Sequence, residues 1–323
     1  MTSAEGYSSE PTTENCTWKV DACEGGKVKV EPRRRYVGGF YRTTRTIRQR
    51  LEDVGIKSSA VLHEFVVCFD CECALGPVEA GAIGRDERKS RRLAKHRCLS
   101  VALATNIPSF RPSCIIERDE REVVVKMLKR MEAMQQAASR EMRRRLRVEF
   151  AELRKRTVEC ALKGDPLKMM STYARLERDL ATFADQLIVL GFNSSKYDVP
   201  VLRKNLFELM RLDQDKQAFV VKKQNSYICV TNSLFRFLDV KLFLAPGISY
   251  DSFLKSYKCK VRKSHFPYEY MTSFEKLQEP HLPPYESFES SLKQGNTLEL
   301  EYAEYEKRLK GVRGRSRCWR VWI

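Results

Sequence analysis

The sequence predicts an α/β fold: a mixed sheet with flanking helices and an inserted β-meander. Apolar runs of strand length recur along the chain, amphipathic helical segments lie between several of them, and three β-rich runs follow one another closely. With 323 residues, of which 42% are hydrophobic, the chain has enough apolar side chains for one large domain or two ordinary ones.

Short apolar runs bounded by turn residues predict the strands. Pro108 and Pro112 separate two of them, and the breaks at 224–225 and 232–233 are typical of an antiparallel meander. The predicted strands are 65–69, 101–104, 114–116, 187–192, 218–221, 227–230 and 234–240.

Capping residues predict where the helices begin and end. Asp119, with Glu122 three residues on, resembles a capping box, and Gly164-Asp165-Pro166 ends one helix and begins the next. Asp198 would lie at the N-terminus of the helix that contains Pro200, a position that favours an ionised carboxylate. Further helices are predicted over 46–54, 250–257 and 297–310.

The amino-acid composition divides the chain into three segments. Residues 1–35 are rich in Ser, Thr, Glu and Gly, end in three arginines, and are expected to form a disordered basic tail. Residues 36–310 carry the predicted elements of the main domain. Residues 311–323 change character abruptly and are interpreted as a divergent tail.

The charge balance favours a nucleic-acid partner. The formal net charge is +17, and a strongly basic chain attracts polyanions, nucleic acid first and an anionic membrane surface second. A well-solvated basic surface is the alternative. The same alternatives hold for the arginines of 143–147, where a solvated helix face is slightly favoured over a phosphate-tracking surface.

Cysteine usage and hydropathy predict an intracellular protein, nuclear or cytoplasmic, with a mitochondrial location also open. The eleven cysteines have neither a regular framework nor zinc-finger spacing. The chain shows no signal-peptide core and no apolar stretch long enough to span a bilayer, so no membrane partner is expected. The oligomeric state is left open.

Two acidic patterns at predicted strand ends are the candidate site. Asp70 and Glu72 follow a buried strand, and residues i and i+2 point to the same side, so both carboxylates can reach one metal ion. Magnesium accepts oxygen ligands and keeps several waters, so few protein groups suffice. Two solvated charges that close a strand are an equally good interpretation of this triplet alone.

The second pattern is Asn193-x3-Tyr197-Asp198, after the strand 187–192. Asp198 can hold a second metal ion, and the Asn193 amide can bond a sugar or phosphate oxygen, although turn formation is a serious alternative for this asparagine. Tyr197 is expected to pack under the site. Phe192, Tyr197 and Tyr250 are candidates to stack unpaired bases, with an ordinary core position as the alternative for each.

Together these patterns resemble the first two motifs of the 3′–5′ exonuclease domain of family B DNA polymerases. The segments LGFNSSKYDVPVLRKNL, FRFLDVKLFLAPGISYDSFLKSY, FPYEY and KHRCLSVALATNIPSF resemble the protein-primed branch. Such polymerases are carried by Maverick (Polinton)-type transposons, linear organellar plasmids and related viruses. The likeness covers residues 60–310.

The resemblance implies a ribonuclease H-like (DnaQ-like exonuclease) fold in 36–310 and hydrolysis of the terminal 3′ nucleotide with two Mg²⁺ or Mn²⁺ ions. Asp70, Glu72 and Asp198 would then be catalytic and metal-binding residues, and Asn193 would hold the primer terminus. The implied partners are single-stranded or primer-template DNA and a terminal protein primer. The implied setting is DNA replication by a DNA-directed DNA polymerase.

The chain also departs from this family. No Tyr-x3-Asp third motif occurs, and Tyr302-x3-Glu306 is the nearest pattern. Relatives often carry Ser or Thr then Leu after the position of Asp239, where this chain has Val240-Lys241. The polymerase motifs are absent, so we expect that the family sequence is lost after residue 310, by truncation or an altered reading frame.

We therefore predict weak or no nuclease activity for this chain alone, because a missing metal ligand removes several kcal/mol of transition-state stabilisation. A non-catalytic nucleic-acid-binding remnant of a mobile element is the alternative. A basic scaffold protein is a third hypothesis.

Overall fold

The structure is a computed structural model. It describes residues 17–22, 28–34, 45–58, 62–76, 95–164, 167–259, 267, 270–279, 281–288, 299, 302–303 and 305–307. The chain divides into two units, 1–61 and 62–323. The predicted tail 311–323 and most of the predicted helix 297–310 lie outside the described residues.

Among the described residues of the first unit there are two strands and one short helix. β1 (Thr17–Ala22) and β2 (Val28–Arg34) pair antiparallel within the segment for which composition predicts a disordered tail. Both strands carry Val, a residue type enriched in strands, and the polar composition of the longer segment hides this local signal. α1 (Ile47–Asp53) begins after Thr46, whose side chain forms a capping box with Gln49.

The second unit is built on a seven-stranded mixed sheet. Its strands are β3 (Val66–Gly76), β4 (Lys95–Thr105), β5 (Ser113–Ile116), β6 (Leu187–Gly191), β7 (Phe219–Lys223), β8 (Ser226–Thr231) and β9 (Phe235–Asp239). Their order is β5-β4-β3-β6-β9-β8-β7. The pairs β3–β6 and β6–β9 are parallel, and the other four pairs are antiparallel. The predicted mixed sheet is therefore confirmed, and β7–β9 form the predicted meander.

The helices flank this sheet. They are α2 (Glu120–Arg145), α3 (Arg147–Lys163), α4 (Leu167–Asp185), α5 (Asp198–Leu209) and α6 (Tyr250–Ser256), and short 3-10 turns cover Val240–Phe243, Glu275–Gln278 and Tyr285–Phe288. Asp119 caps α2 by accepting from two backbone N–H groups, and Gly164 ends α3 in the left-handed conformation, with φ 68°. No helix among the described residues has the length and apolar character needed to cross a bilayer.

The core lies between the sheet and α2. This helix packs against β4, α4 and α5, and its buried face alternates Val, Met and Leu at helical spacing. The sheet contributes the buried residues Val67, Phe69, Val101, Leu103, Val189, Phe235 and Phe237. The candidate site residues lie on β3, in the segment 192–198 that leads from β6 into α5, and at the start of α6.

β3 is longer than the sequence predicts. The apolar run ends at Phe69, but the strand continues to Gly76 because β4 pairs with it from Val67 to Gly76. The parallel pairing with β6 reaches only Cys68, opposite Leu190. Asp70 therefore lies within β3, not after it, at the level where the neighbouring strand β6 ends.

Candidate functional site

Asp70 and Asp198, predicted from two separate motifs, lie close together. Asp70 is on β3 just beyond the end of its pairing with β6, and Asp198 is the first residue of α5, which follows β6. The Cys71 N–H donates a hydrogen bond of 3.2 Å to Oδ1 of Asp198. This bond attaches the beginning of α5 to the middle of β3.

The two carboxyl groups differ in their surroundings. Asp198 is buried, with 2% of its surface exposed, whereas Asp70 is exposed. Burial and then the negative charge of Asp70 raise the pKa of Asp198 to about 7, although hydrogen bonds from its own backbone and from Cys71 oppose the rise. The ionised form of Asp198 is therefore disfavoured, contrary to the expectation from its position at the N-terminus of α5. A strongly shifted carboxyl group beside a second one is typical of a functional site.

Glu72 and Tyr197 lie near this pair, and both are half-buried. Burial, then the Cys73 thiol, then the charges of Glu72 and Asp198 raise the pKa of the Tyr197 hydroxyl. The Tyr197 oxygen lies 3.0 Å from Nδ1 of His96, and the two rings meet edge-on. Tyr197 stays protonated near neutral pH, so its position suits packing and hydrogen bonding rather than proton transfer.

The loop 192–197 joins β6 to α5 and carries Asn193. This residue has a φ of 64°, in the left-handed region that asparagine tolerates better than most residues. The loop folds back so closely that a Cβ on Gly191 would lie 2.4 Å from the Cβ of Ser194. The turn formation considered as the alternative for Asn193 is therefore present in the structure.

Asp239 is a residue that the sequence reasoning missed. It ends β9 beside Gly191 of β6, and it is buried, with 2% of its surface exposed. Its Oδ1 accepts from the Asn193 N–H at 2.8 Å, and its Oδ2 accepts from the N–H and the hydroxyl of Ser195 at 3.0 and 2.6 Å. Its position after an apolar run, like that of Asp70, is the signal that could have identified it.

Phe192 and Tyr250, predicted separately as base-stacking residues, contact each other. Their ring centroids are 4.9 Å apart, and Phe253 lies 5.7 Å from Phe192. Tyr257 extends the group, at 4.9 Å from Phe253, and is 67% exposed. The Lys241 ammonium lies 6.0 Å from the Phe192 centroid. We call the four rings, those of Phe192, Tyr250, Phe253 and Tyr257, the aromatic group.

The aromatic group adjoins the carboxylates through Tyr250. Burial and then the negative charge of Asp70 raise the pKa of the Tyr250 hydroxyl. Leu242 and Phe243, in the turn that follows β9, are also exposed, at 43% and 75%. Aromatic rings with a nearby cation are the usual surface for stacking unpaired bases.

Beside the carboxylates lie the thiols of Cys71, Cys73 and Cys98. Cys73 on β3 pairs directly with Cys98 on β4. A hydrogen bond with Cys98 lowers the pKa of Cys71, but burial and the charges of Asp198 and Asp70 outweigh it and raise this pKa to about 12. A hydrogen bond with Cys98 and burial raise the pKa of Cys73. Both thiols are protonated near neutral pH, so neither supplies a thiolate nucleophile.

The donor chemistry suits a hard divalent cation. No group of three or more His, Cys, Asp or Glu in the described part of the chain is arranged as a ready metal cluster. Mg²⁺, however, binds through one or two carboxylates and keeps its remaining waters. Since burial and Asp70 disfavour the charge on Asp198, a cation beside this pair would favour it. Asp70 and Asp198 therefore fit as ligands, with Glu72 on the same strand.

Tyr302, from the pattern nearest to a third exonuclease motif, makes its contacts with residues other than those of the carboxylate site. The Tyr302 hydroxyl donates to the carbonyl of Pro283 at 3.0 Å, and its ring contacts Tyr285 and Phe288 edge-on. Glu306 is exposed. Tyr302 thus packs in a small aromatic cluster of the C-terminal segment.

The arginines at the C-terminal end of α2 meet acidic partners. Arg144 and Arg145 both donate to Glu141, at 2.6 and 2.9 Å, and these bonds hold the pKa of Glu141 down at about 2. Arg143 binds both carboxylate oxygens of Asp185, the last residue of α4. These ion pairs favour the solvated-face interpretation of the cluster over phosphate tracking.

No protein-family model matches this chain, and no curated protein matches it either.

Proposed function

We propose that this chain is the N-terminal, 3′–5′ exonuclease-like portion of a protein-primed DNA polymerase, which binds the 3′ end of a single strand beside a divalent cation. The observation that carries this proposal is the convergence of Asp70 and Asp198 from two motifs. Burial and mutual repulsion raise the pKa of Asp198 to about 7 there, which is a cost to folding that a bound cation would offset.

The strand order supports a ribonuclease H-like fold for this unit. In that architecture an antiparallel three-stranded meander is followed by two strands that add parallel to its first strand. Here β3, β4 and β5 form such a meander, and β6 and β9 add in parallel beside β3. Carboxylates at the carboxyl ends of adjacent parallel strands meet at one edge of such a sheet.

The residues of the site would then act together to hold the 3′ end of a DNA strand. Asp70 and Asp198, with Glu72, would hold Mg²⁺ or Mn²⁺, which when bound lowers the pKa of a coordinated water. The aromatic group would stack the unpaired bases, and Lys241 would add attraction for phosphate. Because the Cys71 thiol and the Tyr197 hydroxyl stay protonated, neither competes with the coordinated water as a nucleophile.

A non-catalytic nucleic-acid-binding remnant is the second candidate. The placement of Tyr302 favours it, because this tyrosine packs against Tyr285 and Phe288 and donates to Pro283. A site with two of its three motifs would hold a cation and a strand end but hydrolyse the bond slowly. We expect weak or no release of mononucleotides from this chain alone.

The test measures binding of a 3′-labelled single strand in Mn²⁺ and in EDTA, with release of mononucleotides followed in parallel. We expect Mn²⁺ to strengthen binding, Asp70→Asn to abolish that gain, and the exposed-carboxylate control Asp213→Asn to retain it. Binding that is equal in Mn²⁺ and EDTA would contradict the proposal. Rapid turnover that Asp70→Asn abolishes would contradict only the expected weakness.

A further inference from the structure

Asp239 is a buried carboxyl group, and three of its four hydrogen bonds come from one loop. Its two oxygens accept four hydrogen bonds: from the N–H of Asn193, the N–H and hydroxyl of Ser195, and the N–H of Lys241 at 2.9 Å. Among the described residues, no Lys or Arg forms an ion pair with it. An unpaired buried carboxylate is expensive unless hydrogen bonds compensate it, so its retention at this position calls for a specific explanation.

The loop that Asp239 holds is the one that places Asp198. The Ser194 carbonyl accepts from the Val199 N–H at 3.0 Å, and the Ser195 carbonyl accepts from the Tyr227 N–H at 2.9 Å. The first turn of α5 is therefore continuous with the loop. On its other side, Asp198 accepts from the Cys71 N–H of β3. The segment spans from β9 to β3, with Asp239 at one end and Cys71 at the other.

We infer that Asp239 is a positioning residue, which holds the loop 192–197 so that Asp198 meets Asp70 at the distance that a shared divalent cation requires. This inference rests on the proposed function. Asp239 itself, with 2% of its surface exposed, would contact neither the cation nor the end of the DNA strand. It acts through Asn193 and Ser195, whose backbone fixes where α5 begins.

Asp239→Asn is the informative change because it keeps the shape of the side chain. One oxygen becomes an amide N–H₂, which faces donors where it previously accepted from them, so up to two of the four hydrogen bonds are lost. Ser195→Ala is a milder second variant, which removes only the hydroxyl bond and serves if Asp239→Asn does not fold.

Asp215→Asn is the matched control. Asp215 also accepts from two backbone N–H groups, those of Gln217 and Ser233 at 2.8 Å each. It lies at the opposite end of β9, because Ser233 precedes that strand. The control therefore reports what the loss of a loop-holding carboxylate does when that carboxylate is remote from the site.

The experiment uses the full chain and the cation alone. Free Mn²⁺ is measured by electron paramagnetic resonance, and amide hydrogen exchange is measured at Asn193 and Ser195. We expect Asp239→Asn to raise the Mn²⁺ dissociation constant about tenfold or more, as is usual when a residue that orients a ligand is changed. Ser195→Ala should raise the dissociation constant less, and Asp215→Asn should leave it within about twofold of the parent value. A merely structural role of Asp239 would not predict this difference between Asp239→Asn and Asp215→Asn.

The outcomes separate the two claims. One outcome is that the parent chain binds Mn²⁺ and that the variants Asp239→Asn and Ser195→Ala bind it with the same affinity. This outcome would overturn the inference, and the proposed function would stand. Unchanged exchange at Asn193 and Ser195 in Asp239→Asn would also overturn it. If the parent chain shows no Mn²⁺ binding that Asp70→Asn removes, the proposed function fails, and the positioning role fails with it.

Discussion

The C-terminal end of α2 and the carboxylate site use charge in opposite ways. At the helix end each arginine meets an acid, and the pKa of Glu141 falls to about 2 because Arg144 and Arg145 bond to it. At the site two carboxyl groups meet each other, and the pKa of Asp198 rises to about 7. Paired charges of the first kind support the fold, whereas repulsion of the second kind lowers stability and is retained where a ligand compensates it.

The largest expected effect follows from removing the repulsion. Asp198→Asn keeps an oxygen that can accept from the Cys71 N–H but carries no charge. In EDTA at pH 8 it should raise the free energy of unfolding by up to about 4 kcal/mol, because a pKa raised from 3.8 to about 7 disfavours the charged form by that order. Urea unfolding of the two chains measures this difference.

The pH dependence of that gain has a definite sign. The folded-state pKa of Asp198 lies above its ordinary value of 3.8, so the folded chain keeps its proton longer than the unfolded chain. The contribution of Asp198 to stability is therefore complete below pH 3.8 and is lost as the pH rises towards about 7. The advantage of Asp198→Asn should grow across this window. A loss of stability at pH 8 in Asp198→Asn would mean that the charged carboxylate is structural.

The next effect concerns the aromatic group beside the carboxylate site as a nucleic-acid surface. Tyr250→Ala should weaken binding of a single strand about tenfold, because stacking of one base contributes about 1–3 kcal/mol. Phe219→Ala, at a 50% exposed aromatic residue on β7, is the control and should leave binding unchanged. Fluorescence anisotropy measures both. Equal losses in the two variants would remove the aromatic group from the account.

A smaller effect is expected at the ion pair between α2 and α4. Arg143 binds both oxygens of Asp185 and lies over the Phe150 ring at 5.5 Å, but its side chain is 44% exposed. Arg143→Ala should therefore lower the free energy of unfolding by about 1 kcal/mol, near the upper end for pairs exposed to solvent. Urea unfolding at low and high salt checks the size and its screening. No change at low salt would show that the pair contributes nothing.

The smallest effect is expected at Arg144, whose only described partner is Glu141 of the same helix. Arg144→Ala should change neither stability nor the salt dependence of single-strand binding, because its charge is already paired and exposed. The slope of log affinity against log salt counts phosphate contacts. A slope reduced by about one unit would place Arg144 on a phosphate and reverse the interpretation of this cluster.

The sequence was a good guide where one local signal was enough. Short apolar runs predicted the central strands, helical spacing predicted α2, and Asp119 caps α2 as expected. It was a poorer guide where pairing decides. The apolar run that ends at Phe69 predicted the end of a strand, but pairing with β4 extends β3 to Gly76, and that partner cannot be read from the run itself.

The site shows the same division. Asp70 and Asp198 carried motif signals, whereas Asp239 had only its position after an apolar run, and its role depends on which strand lies beside β6. Phe253 and Tyr257 were likewise outside the predicted set, although they extend the contact between Phe192 and Tyr250. Asp239 is defined by a neighbour that is distant in sequence, whereas Phe253 and Tyr257 follow Tyr250 at helical spacing, a local signal that could have identified them.

The most direct test of the central claim is a double-mutant cycle on Mn²⁺-induced stabilisation, with Asp70→Asn, Asp198→Asn and both together, at pH 7.5. A ligand that binds only the folded chain raises its free energy of unfolding according to its concentration and affinity. If the two carboxylates share one cation, each single change removes most of the Mn²⁺ effect and the double change removes no more. Equal Mn²⁺ stabilisation in all four chains would contradict the account.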